Sequence, residues 1–153
     1  MISIEAAIVA AIAADTADPN PTGGFEEAAE GEKLCLKTLL EVTADEPKVY
    51  PHNTVLGRIE ELEPCITYHL ATGRTESEAP IDHETYVLNC WSKSYTRAAE
   101  ISTRLKRILH DRPPELLRRR VCLLVEEARQ DLYEEDTGLH RVRCVYRAIS
   151  KPK

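Results

Sequence analysis

The sequence predicts an α+β fold, in which helices pack on one face of an antiparallel sheet of about four strands to give a two-layer sandwich. Strand-length apolar segments occur as two successive pairs, and a segment with helical periodicity separates the pairs. Hairpins joined through a helix are typical of an antiparallel sheet with helices on one side. The length of 153 residues suits a single domain with a sizeable core, so residues 1–153 are expected to form one α+β domain.

The first segment, "MISIEAAIVAAIAAD", predicts an amphipathic helix that ends near Asp15. Ile4, Ile8 and Ile12 recur every four residues and therefore lie on one side of a helix. Glu5 and the absence of a basic start argue against a signal peptide, and the apolar run is shorter than the roughly 20 residues that a membrane span needs. We expect this helix to pack on its own domain. Projection to a neighbouring subunit across the flexible "ADPNPTGG" segment is the alternative.

A second helix is predicted from about Phe25 to Val42, and a short or edge strand follows it. The prolines of "ADEPKVYPHNT" end the helix and bracket Lys48, Val49 and Tyr50. Because proline lacks the backbone donor that a central strand needs, this strand is expected at the edge of the sheet.

The first strand pair is "PCITYHLATGR" and "HETYVLNCW". In its first strand Ile66, Tyr68 and Leu70 share one face, since side chains alternate along a strand. The polar segment "TESEAPID" between the strands is expected to form a loop longer than a tight hairpin turn. After the second strand, either Ser94 or Thr96 can cap the helix that follows.

That helix has apolar residues at helical spacing and is expected to end before the two prolines of "RPPE". Its predicted buried residues are Ala98, Ile101, Leu105, Ile108 and Leu109. The second strand pair, "RRRVCLLVEEARQDLY" and "LHRVRCVYRAI", is predicted to turn at Thr137–Gly138. One face of the last strand is expected to carry Val142, Cys144, Tyr146 and Ala148, and the other Arg141, Arg143, Val145 and Arg147.

No catalytic, cofactor-binding or metal-binding residue is predicted. The chain has 20 basic and 26 acidic residues, and its net charge of −6 argues against a protein whose main task is to bind nucleic acid. The five cysteines have no close spacing and are expected to be buried, reduced thiols. The histidines lack metal-ligand spacing, and His69 and His83 could meet across the first hairpin only as a solvated pair. No phosphate-binding or nucleophile motif is present.

The charged residues of the last two strands are the strongest candidates for an interaction surface. They are Arg141, Arg143 and Arg147 in the last strand and Glu126, Glu127, Asp131 and Glu134 in the strand before it, with Arg118–Arg120 leading into that strand. Three interpretations are open. The first is a solvated sheet face with cross-strand ion pairs. The second is a subunit or partner surface in which opposite charges set the orientation, and the third is a phosphate contact.

With these motifs in view, the chain resembles the tail-terminator or tail-completion family of long-tailed bacteriophages over about Glu32 to Ile149. A leucine-rich helix leads into "VYP", and a "P-x-I-x-Y" strand follows with Pro64, Ile66 and Tyr68. The next strand carries "VLNCWSKS" and runs directly into "RAAEISTRLKRIL", after which a final strand pair closes the domain. The order and spacing of these segments, rather than any one of them, make the resemblance.

The resemblance implies a structural virion protein that assembles into a ring of six subunits on the end of the tail tube and joins the tube to the head. Its implied partners are other copies of the chain, the tail tube protein and a head–tail connector or neck protein. DNA would pass through the ring lumen without specific binding, and no catalysis, cofactor or membrane is implied. In this interpretation residues 1–31 are an N-terminal helix and loop added to a core of residues 32–149.

Three alternatives stay open from the sequence. The chain could form a neck or head-closure connector ring, or it could be a small ligand-binding α+β domain or enzyme with a pocket between helix and sheet. A nucleic-acid-binding module, based on the arginine rows, is the third.

The loop Thr75–Pro80 is the candidate for reaching the tail tube or the ring lumen. Its charged residues are Glu76 and Glu78, with Arg74 directly before it. Acidic side chains that line a channel repel phosphate, so they would let DNA pass without binding it.

Overall fold

Five strands form one sheet in the computed structural model of the chain, which describes residues 4–16, 34–43, 47–55, 57–76, 81–110 and 121–150. The strands are β1 (Val49–Pro51), β2 (Cys65–Glu76), β3 (Ile81–Ser92), β4 (Val121–Glu134) and β5 (Leu139–Ser150), in the order β1-β2-β3-β5-β4. The four long strands have the predicted antiparallel arrangement. The sheet is nevertheless mixed, because the edge strand β1 runs parallel to β2. The chain between these two strands is long enough for the crossover that a parallel pair requires.

In the described residues four helices accompany the sheet: α1 (Ile4–Ala14), α2 (Leu36–Leu39), α3 (Ile59–Leu62) and α4 (Tyr95–Leu109). A short 3₁₀ helix, His52–Thr54, follows β1. The first helix ends just before Asp15, as predicted, and α4 begins at a predicted cap, since Ser94 accepts a hydrogen bond of 3.3 Å from the backbone N–H of Arg97. The two prolines expected to end α4 lie outside the described residues, and the helix ends before them.

The predicted long second helix is reduced to a single turn in the described residues. Cys35, directly before α2, is extended, with φ −81° and ψ 167°. Glu41 has a φ of 54°, a left-handed conformation that stops an α-helix from continuing. The prediction of a helix over residues 34–42 was therefore wrong apart from α2, and residues 25–33 lie outside the described part of the chain.

The main core lies between α1, α2, α4 and one face of the sheet. From the helices it receives Ile4, Ile8, Ile12, Leu36, Leu39, Ala98, Ile101, Leu105 and Leu109. From the sheet it receives Ile66, Leu88, Leu124 and the predicted inner face of β5, Val142, Cys144, Tyr146 and Ala148. The first helix thus packs on its own domain, as expected, and each of its three isoleucines is at most 3 % exposed.

A carboxylate connects the three helices of this layer. The backbone N–H of Leu36 donates to Asp15 Oδ2 at 2.8 Å. Arg104 of α4 donates from Nη2 to Asp15 Oδ1 at 2.6 Å and from Nε to Oδ2 at 2.9 Å. Both side chains are largely buried, at 11 % and 17 % exposure. Asp15 therefore fixes the end of α1 against both α2 and α4.

The opposite face of the sheet, called here the open face, is not covered by α1, α2 or α4. Its central row consists of Thr67, Asn89, Arg143 and Gln130, which are in register across four strands. At one end of this face a second, smaller core forms from Val55, Ile59, Cys65, Trp91 and Leu139. The short helix α3 thus lies on this side, so the prediction that all helices pack on one face was wrong. The parallel β1–β2 crossover carries α3 there.

The two hairpins differ from prediction only at the first turn. Thr75 pairs with Asp82 and Glu76 with Ile81, so β2 extends to Glu76 and residues 77–80, outside the described part, connect it to β3. The expected loop from Thr75 is therefore shorter than predicted, because its first residues belong to the ladder. The second turn falls at Thr137–Gly138 as predicted, and Gly138 adopts the left-handed φ of 68° that favours glycine.

Among the described residues, no helix is both long and apolar enough to cross a membrane.

Candidate subunit interface

The arginine row of β5 lies on the open face, and two of its three members are paired within the chain. Arg147 Nε is 2.9 Å from Glu127 Oε1, and Arg141 Nη2 is 3.9 Å from Glu134 Oε1. Both pairs join β5 to its neighbour β4, and the side chains involved are a quarter to two-fifths exposed. Cross-strand ion pairing, the first of the three interpretations of this row, thus describes Arg141 and Arg147.

Arg141 also packs against the single tryptophan of the chain. Its Cζ lies 5.1 Å from the centroid of the Trp91 ring, a cation–π distance. The indole Nε1 of Trp91 donates to Thr67 Oγ1 at 2.9 Å. Trp91 is only 2 % exposed although none of the long helices covers it. The stems of long basic side chains can cover apolar surface in this way while their charges remain in water.

Arg143 differs from its two neighbours in the row. Within the described residues no carboxylate lies within ion-pair distance of its guanidinium. Its charge acts instead on His69 of β2, whose pKa is lowered by burial first, then by His52 and by Arg143. The His52 and His69 rings are 5.6 Å apart. Arg143 is thus a half-buried cation with no counter-charge among the described residues.

The predicted meeting of His69 and His83 across the first hairpin was wrong. His69 is paired with Val87, and His83 is paired with Arg74 further along the ladder. The actual neighbour of His69 is His52, because the parallel strand β1 places the following 3₁₀ helix beside β2.

The acidic candidates of β4 are divided between the two faces of the sheet. Glu126 faces the helices and pairs with Arg129 at 2.9 Å, whereas Glu127 faces Arg147 on the open side. Adjacent strand residues alternate, which separates Glu126 from Glu127. The β-bulge between Glu126 and Ala128 then reverses the alternation, so Asp131 lies on the helix side and Glu134 on the open face. The seven predicted interface residues therefore do not form one continuous surface.

Asp131 is the acidic candidate that has no cation within ion-pair distance in the described part of the chain. Its Oδ2 accepts a hydrogen bond of 3.0 Å from the hydroxyl of Tyr95. Asp131 lies opposite Val142 in the ladder, on the side of the sheet that faces α4. Together with Arg143 it is left without an opposite charge, although the two residues lie on different faces.

The charged residues proposed for the tube or lumen lie at one end of the first hairpin. Arg74 and Glu76 belong to β2, where they are in register with His83 and Ile81. Glu78 lies outside the described residues. The hairpin end is at the opposite end of the sheet from the Thr137–Gly138 turn, because β3 pairs with β5 from Asp82–Ser150 to Ser92–His140.

An exposed aromatic group at the edge of the sheet was not found from the sequence. Tyr133 of β4 and Tyr95 of α4 both contact the ring of His140, with centroids 4.8 and 5.8 Å away. The two tyrosines are 57 % and 49 % exposed. Alternation along β4 could not have found this group, because the bulge changes the face on which Tyr133 lies and its proximity to Tyr95 depends on how α4 crosses the sheet.

The side chains of the described region offer little for chemistry. No group of three or more His, Cys, Asp or Glu residues is placed there to hold a metal ion. Burial raises the pKa of the Cys65 thiol to about 12, and a hydrogen bond with Cys144 together with burial raises that of Cys90. A thiol is nucleophilic only as the thiolate, so these cysteines are suited to packing. Cys35, Cys65, Cys90 and Cys144 are buried thiols that form no disulfide among the described residues.

A cavity of about 220 Å³ opens at the smaller core. Its lining includes Trp91, Leu139 and Ile59, together with the paired side chains of Arg141 and Glu134. Two charged groups in its wall, Arg141 and Glu134, are thus already engaged in a pair with each other.

Fold and surface together define a small α+β domain with charged side chains on the open face of its sheet. Comparison with known proteins agrees: a family model, "Tail completion protein gp17", matches residues 34–151. The chain belongs to this family. It is therefore a structural protein of the virion tail and not an enzyme, which confirms the resemblance seen in the sequence and rules out the enzyme alternative.

A solved structure shows the same fold at low sequence identity. A chain of the "Virion of native gene transfer agent (GTA) particle" superposes with a TM-score of 0.55 at 13 % identity, covering 99 % of this chain and 100 % of that chain. At this identity the likeness concerns the fold alone. No curated protein matches the chain.

Proposed function

We propose that the chain forms a closed ring of six identical subunits that ends the tail tube and joins it to the head. The observation that carries this proposal is the family match, which covers the whole sheet and α4. The partners are then the tail tube protein on one side of the ring and a connector or neck protein on the other. A neck or head-closure ring remains the alternative position. That the similar solved chain is part of a virion particle supports a place in the particle.

The chain acts in this proposal as one domain of residues 1–153, with 32–149 as the family core and 1–31 as an N-terminal addition. The helix α1 lies outside the matched residues but supplies three isoleucines to the main core. The addition is therefore integrated into the subunit rather than reserved for a neighbour.

A ring of identical subunits is built from head-to-tail contacts, in which two different patches meet. We assign the charged residues of β4 and β5 to these patches, as the sequence suggested. Because Arg141 and Arg147 already pair with Glu134 and Glu127, the contact between subunits falls to Arg143 of one copy and Asp131 of the next. Burying an ion pair at such a contact fixes orientation more than it adds affinity.

The end of the first hairpin faces the tube or the lumen in this arrangement. Arg74, Glu76 and Glu78 are its charged residues. On a chain with a net charge of −6, an acidic lining repels phosphate and lets DNA slide through the ring.

Tail length and head attachment test the function directly. Without the chain, we expect tails of irregular length and tailless heads, and wild-type protein should restore uniform tails. Arg143→Glu should lower the yield of joined particles several-fold, because it places two acidic residues at the contact. The double variant Arg143→Glu with Asp131→Arg should recover that yield, since it restores opposite charges.

Arg58→Glu is the matched control, because Arg58 is exposed and forms only a loose pair with Glu61 at 3.8 Å. It should leave particle yield unchanged. Uniform tails without the chain would overturn the proposed function. A swap variant no better than Arg143→Glu would overturn only the assigned charge pair.

A further inference from the structure

Two cationic side chains flank the central strand β3 on the open face. Val87 and Asn89 of β3 are only 1 % and 2 % exposed, although α1, α2 and α4 lie on the other side of the sheet. Side chains of the neighbouring strands therefore contribute to their cover. His69 of β2 is paired with Val87, and Arg143 of β5 is paired with Asn89. His69 and Arg143 thus approach each other over β3 from its two sides.

The charges that act on His69 are all of one sign. Its pKa is lowered by burial most, then by His52 of the 3₁₀ helix after β1 and by Arg143 of β5. The rings of His52 and His69 are 5.6 Å apart. Glu60 of α3 lines a cavity together with His52, but it does not contribute to the shift of the pKa of His69. Within the described residues, no carboxylate offsets these positive charges.

Both flanking groups have unused bonding capacity in the part of the chain that the structure describes. Arg143 has no carboxylate within ion-pair distance, whereas Arg141 and Arg147 do. The Nδ1 atom of His69 is buried and has no hydrogen-bond partner. Buried polar groups are normally paired, and guanidinium and imidazolium groups form their strongest hydrogen bonds with carboxylate or phosphate oxygens. An anion between Arg143 and His69 would satisfy both groups.

We propose that Arg143 and His69 form an anion site on the open face, which binds a carboxylate of the next copy of this chain and, with it, a proton on His69. This rests on the proposed ring and deepens it, since Asp131 of the next copy supplies the carboxylate. Asp131 has no cation of its own among the described residues, and the Tyr95 hydroxyl orders it through Oδ2. The site and this carboxylate lie on opposite faces of the sheet, as a head-to-tail contact requires.

The proton and the carboxylate bind cooperatively at this site. A negative charge close to His69 favours the charged imidazolium and therefore raises the pKa of His69. By reciprocity, protonation of His69 strengthens the binding of the carboxylate. The contact between subunits is then tighter at low pH than at high pH. Each unit by which the carboxylate raises the pKa of His69 corresponds to about a tenfold difference in affinity between the two limits.

Nuclear magnetic resonance of the dilute full chain tests the site itself. The pKa of His69 is measured in sodium chloride and in sodium acetate of equal ionic strength, with acetate as the carboxylate probe. Acetate should raise the pKa of His69 in wild type and leave it unchanged in Arg143→Gln. His140 is the internal control, because it lies on the other face of the sheet and should not respond.

Equal values of the pKa of His69 in the two salts would overturn the site. A short DNA duplex that raises this pKa when acetate does not would assign the site to phosphate, and the carboxylate proposal would be wrong.

Sedimentation of the concentrated full chain tests the occupant. Wild type should self-associate more tightly at about pH 5.5 than at about pH 7.5, on either side of the ordinary histidine pKa. His69→Gln should remove most of this difference. His83→Gln is the matched control and should keep it, because His83 lies further along the ladder, opposite Arg74. The same pH dependence in His69→Gln as in wild type would contradict the coupling. Association of Asp131→Asn equal to that of wild type at the lower pH would exclude Asp131 as the ligand.

The outcome is separate from that of the ring proposal. If acetate raises the pKa of His69 but no ring forms on tube ends, the anion site stands and the proposed function fails. If rings form on tube ends but neither acetate nor self-association involves His69, the ring stands and this site is wrong.

Discussion

His69 lies on the open face between His52 and Arg143, and its pKa is lowered by burial first and by these two neighbours after that. In the folded protein His69 is therefore protonated only at a lower pH than in the unfolded chain, where its pKa is near the ordinary histidine value of about 6.5. Above that pH both states carry neutral His69 and no stability depends on it. As the pH falls below about 6.5, the unfolded state gains protons first and the folded state loses stability.

Urea unfolding at about pH 7.5 and about pH 5.5 measures this effect, on either side of the ordinary histidine pKa. We expect the free energy of unfolding to fall less in His69→Gln than in wild type between these two pH values, since glutamine does not titrate. An equal loss in both proteins would show that His69 does not contribute.

The arginine row shows how far a residue pattern can predict a surface. Period-two alternation was sufficient to place Arg141, Arg143 and Arg147 together on the outer face of β5. Their partners could not be predicted, because the bulge in β4 reverses the alternation after Glu126 and so puts Glu134, rather than Asp131, on the face of Arg141. Whether an arginine is paired or available was thus decided by strand register.

Helix existence was predicted better than helix extent. The isoleucine spacing of α1 and the Ser94 cap of α4 are local signals, and both were confirmed. The shortness of α2 and the parallel pairing of β1 were missed. Segments of three or four residues, such as β1 and α2, have too little periodicity to predict the direction of a strand or the length of a helix. The direction of β1 depends on its partner strand.

Asp15 connects elements that are distant in sequence. The sequence suggested only that α1 ends near this residue, but its carboxylate binds the N–H of Leu36 and the guanidinium of Arg104. We expect Asp15→Asn to lower the free energy of unfolding by about 2 kcal/mol, because it leaves a largely buried arginine without its counter-charge. Urea denaturation with far-UV circular dichroism measures the change.

Glu61→Gln is the control for this prediction. It removes an ion pair with Arg58 in which the side chains of Arg58 and Glu61 are 63 % and 72 % exposed. Such surface pairs contribute about 0–1 kcal/mol. If Asp15→Asn changed the free energy of unfolding no more than Glu61→Gln, the contacts of Asp15 with the three helices would not contribute to stability.

The whole molecule has two accessible sheet edges of different composition, and this asymmetry suits a subunit that binds copies of itself head to tail. Tyr95, Tyr133 and Asp131 lie at the β4 edge, and Leu70 lies on β2 near the other edge. Order and spacing of segments pointed to the family from the sequence. The cluster of Tyr95, Tyr133 and His140 did not appear there, because its members come from β4, β5 and α4 and meet only in the folded chain.

Electron microscopy of tail tubes assembled with the purified chain tests the central claim most directly. We predict a six-fold ring with a central hole at one end of each tube and no further growth of tubes that carry it. Tubes with bare ends that continue to grow in the presence of excess folded chain would contradict the account, as would subunits bound along the sides of the tube.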